Sequence, residues 1–283
     1  VLNLSEIKGD DVQDLKNKVA VVTGAASGIG LAMTEAFVAQ GMQVVMADVD
    51  EIALSAQATR LEASGAAVLG VLCDVTDPAA VQALADATVE QFGAAHVLCN
   101  NAGIAPAGPM LGTTPQEWQW TVGVNVLGVA YGVTAFGPLM VAQGEGHIIN
   151  TASQAGLMTT EVLGMYCATK HAVVGLSESL YRELVDSPVG VSCLCPELVS
   201  TEIFDAARLR PDWVEVDEAH DALQPMLREL LDTRGIAPSL VADAVVEAIL
   251  ADRFWVFTHE VTVPQANRRF ADLGAGSNPS PAE

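Results

Sequence analysis

The chain has 283 residues, 51% of them hydrophobic and 17% charged. That is enough apolar matter to bury a large core without disulfides or a structural metal, and it excludes overall disorder. Its 35 acidic residues against 13 basic ones leave a formal charge of −22, which repels nucleic acid and anionic membrane and argues against both as partners.

Residues 1–17 read as a polar arm with no basic segment leading into an apolar one, so no secretory leader is expected there. A β-branched run, KVAVVTG (18–24), follows and reads as a strand. It passes directly into Thr23-Gly24-Ala25-Ala26-Ser27-Gly28-Ile29-Gly30 and then a helix over 29–40. Glycines at such a turn let the backbone approach a pyrophosphate, and the helix N-terminus behind it offers free N–H groups and a partial positive charge. The same glycines would also serve a merely structural turn. The next strand, 42–48, ends at Asp48, about 18 residues past Gly30. An acid at that spacing accepts hydrogen bonds from an adenosine ribose diol and repels a 2′-phosphate, which favours NAD over NADP. Neither Ser27 nor Val49 supplies the cation that NADP would want. The bland alternative for Asp48 is a solvated strand-end acid.

A helix over 52–64 and a strand over 66–73 come next. After them, Asp74-Val75 is placed to meet an adenine amino group or to cap the helix 78–92, or both. The strand 95–100 ends in Asn100-Asn101-Ala102-Gly103. A long helix over 115–142 carries Asn125, and its Trp118 and Trp120 fall on different faces, so at most one packs inward. No apolar run is long and uninterrupted enough to indicate a transmembrane helix, because Thr121, Asn125 and several glycines break this stretch. The strand 146–153 ends at Ser153. The helix 164–186 carries Tyr166 and Lys170, and the strand 189–195 follows. Residues 196–237 break the rhythm with prolines and acids and read as an excursion of loops and short helices on the substrate side. A helix over 238–252, a strand over 253–258 and a flexible tail at 274–283 complete the chain. His147 and His171 are expected to be packed histidines rather than proton carriers.

Alternating strands and helices at this spacing predict βαβ units in a single domain, 18–273. The expected architecture is a doubly wound, three-layer α/β/α sandwich around a mostly or wholly parallel sheet of about seven strands. The strands are apolar almost throughout, as in a sheet covered on both faces. The five cysteines, Cys73, Cys99, Cys167, Cys193 and Cys195, lie in apolar runs without CxxC or zinc-like spacing. Reduced thiols in a cytoplasmic protein are expected, and Cys193 and Cys195 are expected on opposite faces of their strand, unable to share one ion.

Tyr166 and Lys170, four residues apart on a helix, share one face. A phenol is a poor base near neutral pH, and a neighbouring ammonium favours its phenolate. Such a pair is common on ordinary helices, but here the glycine turn, Asp48, Asp74, Asn101 and Ser153 all fall at strand carboxyl ends, where doubly wound sheets bind ligands. Asn125, Tyr166 and Lys170 can reach that edge from helices.

Taken together, TGAASGIG, NNAG, Asn125, Ser153, the Tyr-x-x-x-Lys pair and Pro196…Thr201 resemble the short-chain dehydrogenase/reductase family in its compact one-domain form, over roughly residues 17–258. The resemblance implies Tyr166 as the acid–base group, Lys170 as the group that lowers its pKa and bonds the nicotinamide ribose, Ser153 on the substrate oxygen, and Asn125 holding a water in a proton relay. It maps Gly24, Ser27, Gly28, Ile29, Gly30, Asp48, Asp74, Val75, Asn101, Ala102, Gly103, Tyr166, Lys170, Pro196 and Thr201 to NAD, with Val124 and Val199 as weaker matches; no metal is implied. Glu197 stands where the family usually has glycine, which weakens Thr201 as a contact; its carboxylate points either to solvent or to the substrate cleft. Ile104, Met158, Leu163, Ile203, Phe204 and Trp213 should border the nicotinamide and include no cation, which suggests a hydrophobic secondary alcohol or ketone of aryl, terpenoid or steroid-like bulk. The resemblance also implies a homo-oligomer, tetramer or dimer, through the helices 115–142 and 164–186. The rival readings are a catalytically silent NAD-binding sensor and a related-fold epimerase or dehydratase.

Overall fold

The structure, a computed structural model, describes residues 14–215 and 222–280. In chain order the described elements are β1 (Val19–Thr23), α1 (Gly28–Ala39), β2 (Gln43–Asp48), α2 (Glu51–Ala63), β3 (Val68–Leu72), α3 (Pro78–Phe92), β4 (Val97–Asn100), α4 (Pro115–Val122), α5 (Gly128–Gln143), β5 (Gly146–Thr151), α6 (Gly164–Leu184), β6 (Val189–Cys195), α7 (Gln224–Arg234), α8 (Pro238–Leu250), β7 (Trp255–Phe257) and α9 (Thr262–Ala275). The strands form one sheet in the order β3-β2-β1-β4-β5-β6-β7, every pair parallel. This is the doubly wound α/β sandwich expected, with its strand order reversing between β1 and β4, the place where such sheets bind ligands.

Both faces of the sheet are covered along its central strands, which carry no polar alternation, while the edge strand β3 is partly exposed. In β1, Ala20 and Val22 turn to the side covered by α1, α2 and α8, while Val21 turns to the side covered by α3, α5 and α6. Met46 and Val45 divide in the same way on β2, as do Ile149 and Ile148 on β5. Leu15, from the segment expected as a polar arm, is buried in the first of these layers; the rest of that arm, residues 1–13, lies outside the described residues.

Local chemistry sets the helix boundaries. Asp50 caps α2 by accepting the Ala53 N–H, and Asp77 caps α3 by accepting the Ala79 N–H, with Pro78 in the first turn. Thr114 and Glu117 close a reciprocal capping box on α4. The expected helix 115–142 is continuous to Gln143 but is interrupted by a π-helical stretch, Gly123–Leu127, centred on Asn125. By length and composition alone this helical stretch is apolar enough to cross a membrane, at mean hydropathy 1.6, contrary to the sequence expectation. Its Phe136 and Met140 are fully buried against the sheet.

Two further expectations need revision. Cys193 and Cys195 share one face, with sulfurs 3.8 Å apart, because strand side chains two apart point the same way. All five cysteines are free and buried, and no cluster of metal-binding side chains occurs among the described residues. Past β7 the chain forms α9, a helix the sequence reading did not assign; it enters the expected tail, and the Asp272 carboxylate accepts the Ser280 N–H at 2.8 Å. Of the two tryptophans, Trp120 is buried and Trp118 donates its indole N–H to Thr113 at the edge.

Candidate active site

The carboxyl ends of β1, β2, β4, β5 and β6 open into one cavity of about 720 Å³. Its floor is the turn after β1. Gly24 and Gly28 hold left-handed backbone, at φ +67° and +52°, and a Cβ on Gly24 would lie 2.9 Å from Ala102 Cα. Glycine is therefore required both by conformation and by space. Ser27 caps α1 with no side-chain hydrogen bond, so the first-turn N–H groups gain no side-chain cap. The Asp48 carboxylate stitches the turn to β2, accepting the Ala26 N–H at 2.9 Å and the Asp50 N–H at 3.0 Å. Asp74 accepts the Thr76 N–H, and since Asp77 is the cap of α3, capping is not the role of Asp74. Asn101 donates its side-chain amide to the Thr23 carbonyl and its backbone N–H to the Thr23 hydroxyl, each at 2.9 Å, tying β4 to β1.

Tyr166 and Lys170 are both buried on α6. The Lys170 ammonium donates to the Thr151 carbonyl at 2.7 Å and lies 5.5 Å from the centre of the Tyr166 ring. Ser153 accepts the Ala155 N–H at 3.1 Å and donates to the Pro196 carbonyl at 3.3 Å. Burial pushes the Tyr166 phenol up to about 12, with the Ser153 hydroxyl working the other way, and burial pushes Lys170 down to about 8. Burial thus outweighs the lowering expected from the ammonium. The ammonium is bonded to a backbone carbonyl rather than to the phenol oxygen, and desolvation is the larger effect.

Gly24, Ser27, Gly28, Ile29, Asp48, Asp74, Val75, Asn101, Ala102, Gly103, Ser153, Tyr166, Lys170, Pro196 and Thr201 all line the cavity. Gly30 and Asn125 stand behind the wall. A Cβ on Gly30 would lie 2.0 Å from the Gly24 carbonyl oxygen. Asn125 is fully buried; it accepts the Ile104 N–H at 2.9 Å and donates to the Ile104 carbonyl and the Thr169 hydroxyl.

The six expected apolar residues, Ile104, Met158, Leu163, Ile203, Phe204 and Trp213, all border the cavity, joined by Leu227 and Leu231 from α7. Polar lining residues that were missed include Gln154, Gln265 on α9, and Arg208. The Arg208 guanidinium reaches Asp50 at 2.5 Å and Glu202 at 3.3 Å, so a cation does stand near the β2 end, committed to two carboxylates. Sequence distance hid it: 158 residues separate Arg208 from Asp50. The packed histidines are as expected, with His147 bonded to Ser192 and His171 to the Cys167 carbonyl.

Residues 18–212 match the family model described as short chain dehydrogenase. A crystal structure of a short chain dehydrogenase/reductase from Burkholderia phymatum in complex with NAD is 42% identical, with a TM-score of 0.92, covering 95% of this chain and 99% of that one. The 1-deoxy-11-beta-hydroxypentalenate dehydrogenase of Streptomyces exfoliatus is 36% identical over 268 residues, which is 92% of this chain and 89% of the relative. The probable oxidoreductase EphD of Mycobacterium tuberculosis is 33% identical over 229 residues; the match takes in 81% of this chain but only 38% of EphD.

Proposed function

The chain belongs to the short-chain dehydrogenase/reductase family, and from that premise we propose that it is an NAD-dependent oxidoreductase moving a hydride between the cofactor and a hydrophobic secondary alcohol or its ketone. The observation that carries this reading is a single cavity that joins the glycine turn and Asp48 to Ser153, Tyr166 and Lys170.

The residues present suit a dinucleotide. The first turn of α1 has no side-chain cap, and the turn before it excludes a Cβ, as a phosphate cradle requires. Gly24, Ser27, Gly28 and Ile29 would hold the pyrophosphate, with Gly30 packing the turn from behind. Asp48 would take the ribose diol, and Asp74 and Val75 the adenine. Asn101, Ala102, Gly103, Lys170, Pro196 and Thr201 would border the nicotinamide half. Asp48 would repel a 2′-phosphate, and Arg208 is engaged with carboxylates; both support NAD, as does the NAD bound in the Burkholderia phymatum relative.

When bound, NAD supplies the hydride acceptor or donor. Tyr166 Oη then takes the alcohol proton, or returns one to the carbonyl oxygen. Ser153 Oγ, oriented by the Ala155 N–H, would turn its one hydrogen from the Pro196 carbonyl to the same oxygen as charge develops on it. Lys170, pinned to the Thr151 carbonyl, places positive charge beside the phenol and favours its release of a proton. Asn125 holds the Ile104 main chain and the Thr169 hydroxyl from behind, which steadies the wall opposite. The apolar lining supports a bulky substrate, and the 1-deoxy-11-beta-hydroxypentalenate dehydrogenase among the relatives is consistent with that. Five free, buried cysteines suit a reducing cytoplasm.

The test is NADH formation across a panel of secondary alcohols. The expected result is turnover of bulky apolar alcohols, with Tyr166→Phe reducing it by about 10²–10⁴-fold while the variant stays folded. Full activity of that variant would remove Tyr166 from the chemistry, and much faster turnover of sugars or hydroxy acids would overturn the substrate class.

A further inference from the structure

The parallel ladder between β6 and β7 ends at the pair Cys195 and Phe257. Beyond it, residues 196–198 leave the sheet and form a wall of the cavity that holds Tyr166. Two residues after the last strand pair, His259 stands half-buried beside that wall. Its Nδ1 lies 3.3 Å from the Glu197 N–H nitrogen, and its Nε2 lies 3.1 Å from the Leu198 carbonyl oxygen. The imidazole thus offers residues 197 and 198 one acceptor and one donor, the pair of groups that a continuing strand would have offered.

Chemistry fixes which nitrogen carries the hydrogen. A backbone N–H only donates and a carbonyl only accepts, so Nδ1 must be bare and Nε2 protonated. The Thr258 hydroxyl, 2.9 Å from Nδ1, is a second donor consistent with that tautomer. From the other side, the Pro196 carbonyl accepts the Gln154 N–H at 2.8 Å and the Ser153 hydroxyl at 3.3 Å. Residues 196–198 are therefore clamped between the segment bearing Ser153 and the side chain of His259.

We propose that His259 is a positioning residue: as the neutral Nε2–H tautomer it holds the main chain of Glu197 and Leu198 in place of a missing strand, and so fixes this wall relative to Ser153 and the nicotinamide end of the cofactor cleft. The proposal rests on the dehydrogenase reading and deepens it. Misplacing a wall that borders the reacting groups by an ångström or so lowers turnover by up to about 10²-fold.

Two measurements test it. Nitrogen-15 NMR on the wild-type protein reads the His259 tautomer directly; Nε2–H is expected, and Nδ1–H would overturn the proposal. Kinetics and NADH fluorescence titration are then compared for His259→Ala and His259→Asn, the latter able to present its amide oxygen to the Glu197 N–H. The alanine variant is expected to lose about tenfold in kcat and about threefold or more in NADH affinity with its melting temperature held, and the asparagine variant to recover most of both. Wild-type kcat and NADH affinity in the alanine variant would overturn the proposal; so would equal losses in the two variants accompanied by a lowered melting temperature, which is what a merely structural histidine would give. If the wild-type protein oxidises no alcohol, the dehydrogenase reading fails, while the NMR and NADH titration still decide the role of His259.

Discussion

His147 is the second residue of β5 and is 2% exposed. Ser192 gives its own hydroxyl hydrogen to the Arg253 carbonyl, so the imidazole must donate from Nε2 to Ser192. Burial pushes this histidine down to about 4 from its ordinary 6.5. Between those values the unfolded chain binds a proton that the native protein refuses. The stability contributed is complete above about pH 6.5 and is lost as pH falls toward 4, by up to about 3 kcal/mol; the Asp252 carboxylate, 3.9 Å from Nδ1, trims that figure. Urea midpoints at both ends of the window should show the wild type losing more stability than His147→Gln, which keeps an amide donor but does not titrate. Parallel curves would refute the assignment. Tyr166 shows the same force acting on an acid: with burial holding the phenol up, the protonated form prevails at neutral pH, the form that donates to a carbonyl oxygen.

At the scale of elements, the π-helical stretch is the informative one. An extra residue in a helical turn shifts the following side chains, and such stretches gather at functional sites. Here the stretch carries Asn125, whose amide serves both main-chain groups of Ile104 and the Thr169 hydroxyl in a fully buried setting. Asn125→Ala leaves the Ile104 N–H and carbonyl without that partner, and each buried orphan costs about 1–3 kcal/mol. The expected loss is about 3 kcal/mol in a urea titration. A change below about 0.5 kcal/mol would mean that water or a shifted backbone replaces the amide without strain.

The whole molecule leaves apolar side chains on its long helices: Leu127 and Val141 along the helical stretch 115–143, and Tyr181 and Val185 at the end of α6. We propose that these faces join copies into a dimer or tetramer through the apolar side chains they leave exposed. Light scattering should report more than one chain per particle, and Val141→Glu combined with Tyr181→Glu should reduce the mass toward one chain. A wild-type monomer at micromolar concentration would sink the idea. Arg208 adds a second feature at this scale, joining the excursion after β6 to Asp50 at the far side of the cofactor cleft.

What the amino-acid order determined by itself was what repeats or is local. The βα alternation set the architecture, the run from Thr23 to Gly30 set the turn, Asp48 ended β2, and the four-residue spacing placed Tyr166 beside Lys170, because each depends on neighbours within a few residues. The shared face of Cys193 and Cys195 is equally local, since strand side chains two apart point the same way, whereas the π-helical stretch at Asn125 and the helix α9 depend on what packs against them. Tertiary structure alone decided the rest. It brought Arg208 to Asp50 and His259 to Glu197 across long stretches of chain, moved Asn125 behind the wall, and made desolvation the stronger influence on Tyr166. Those outcomes turn on which atoms are excluded from water and which distant backbone groups need partners, and both are properties of the packed molecule.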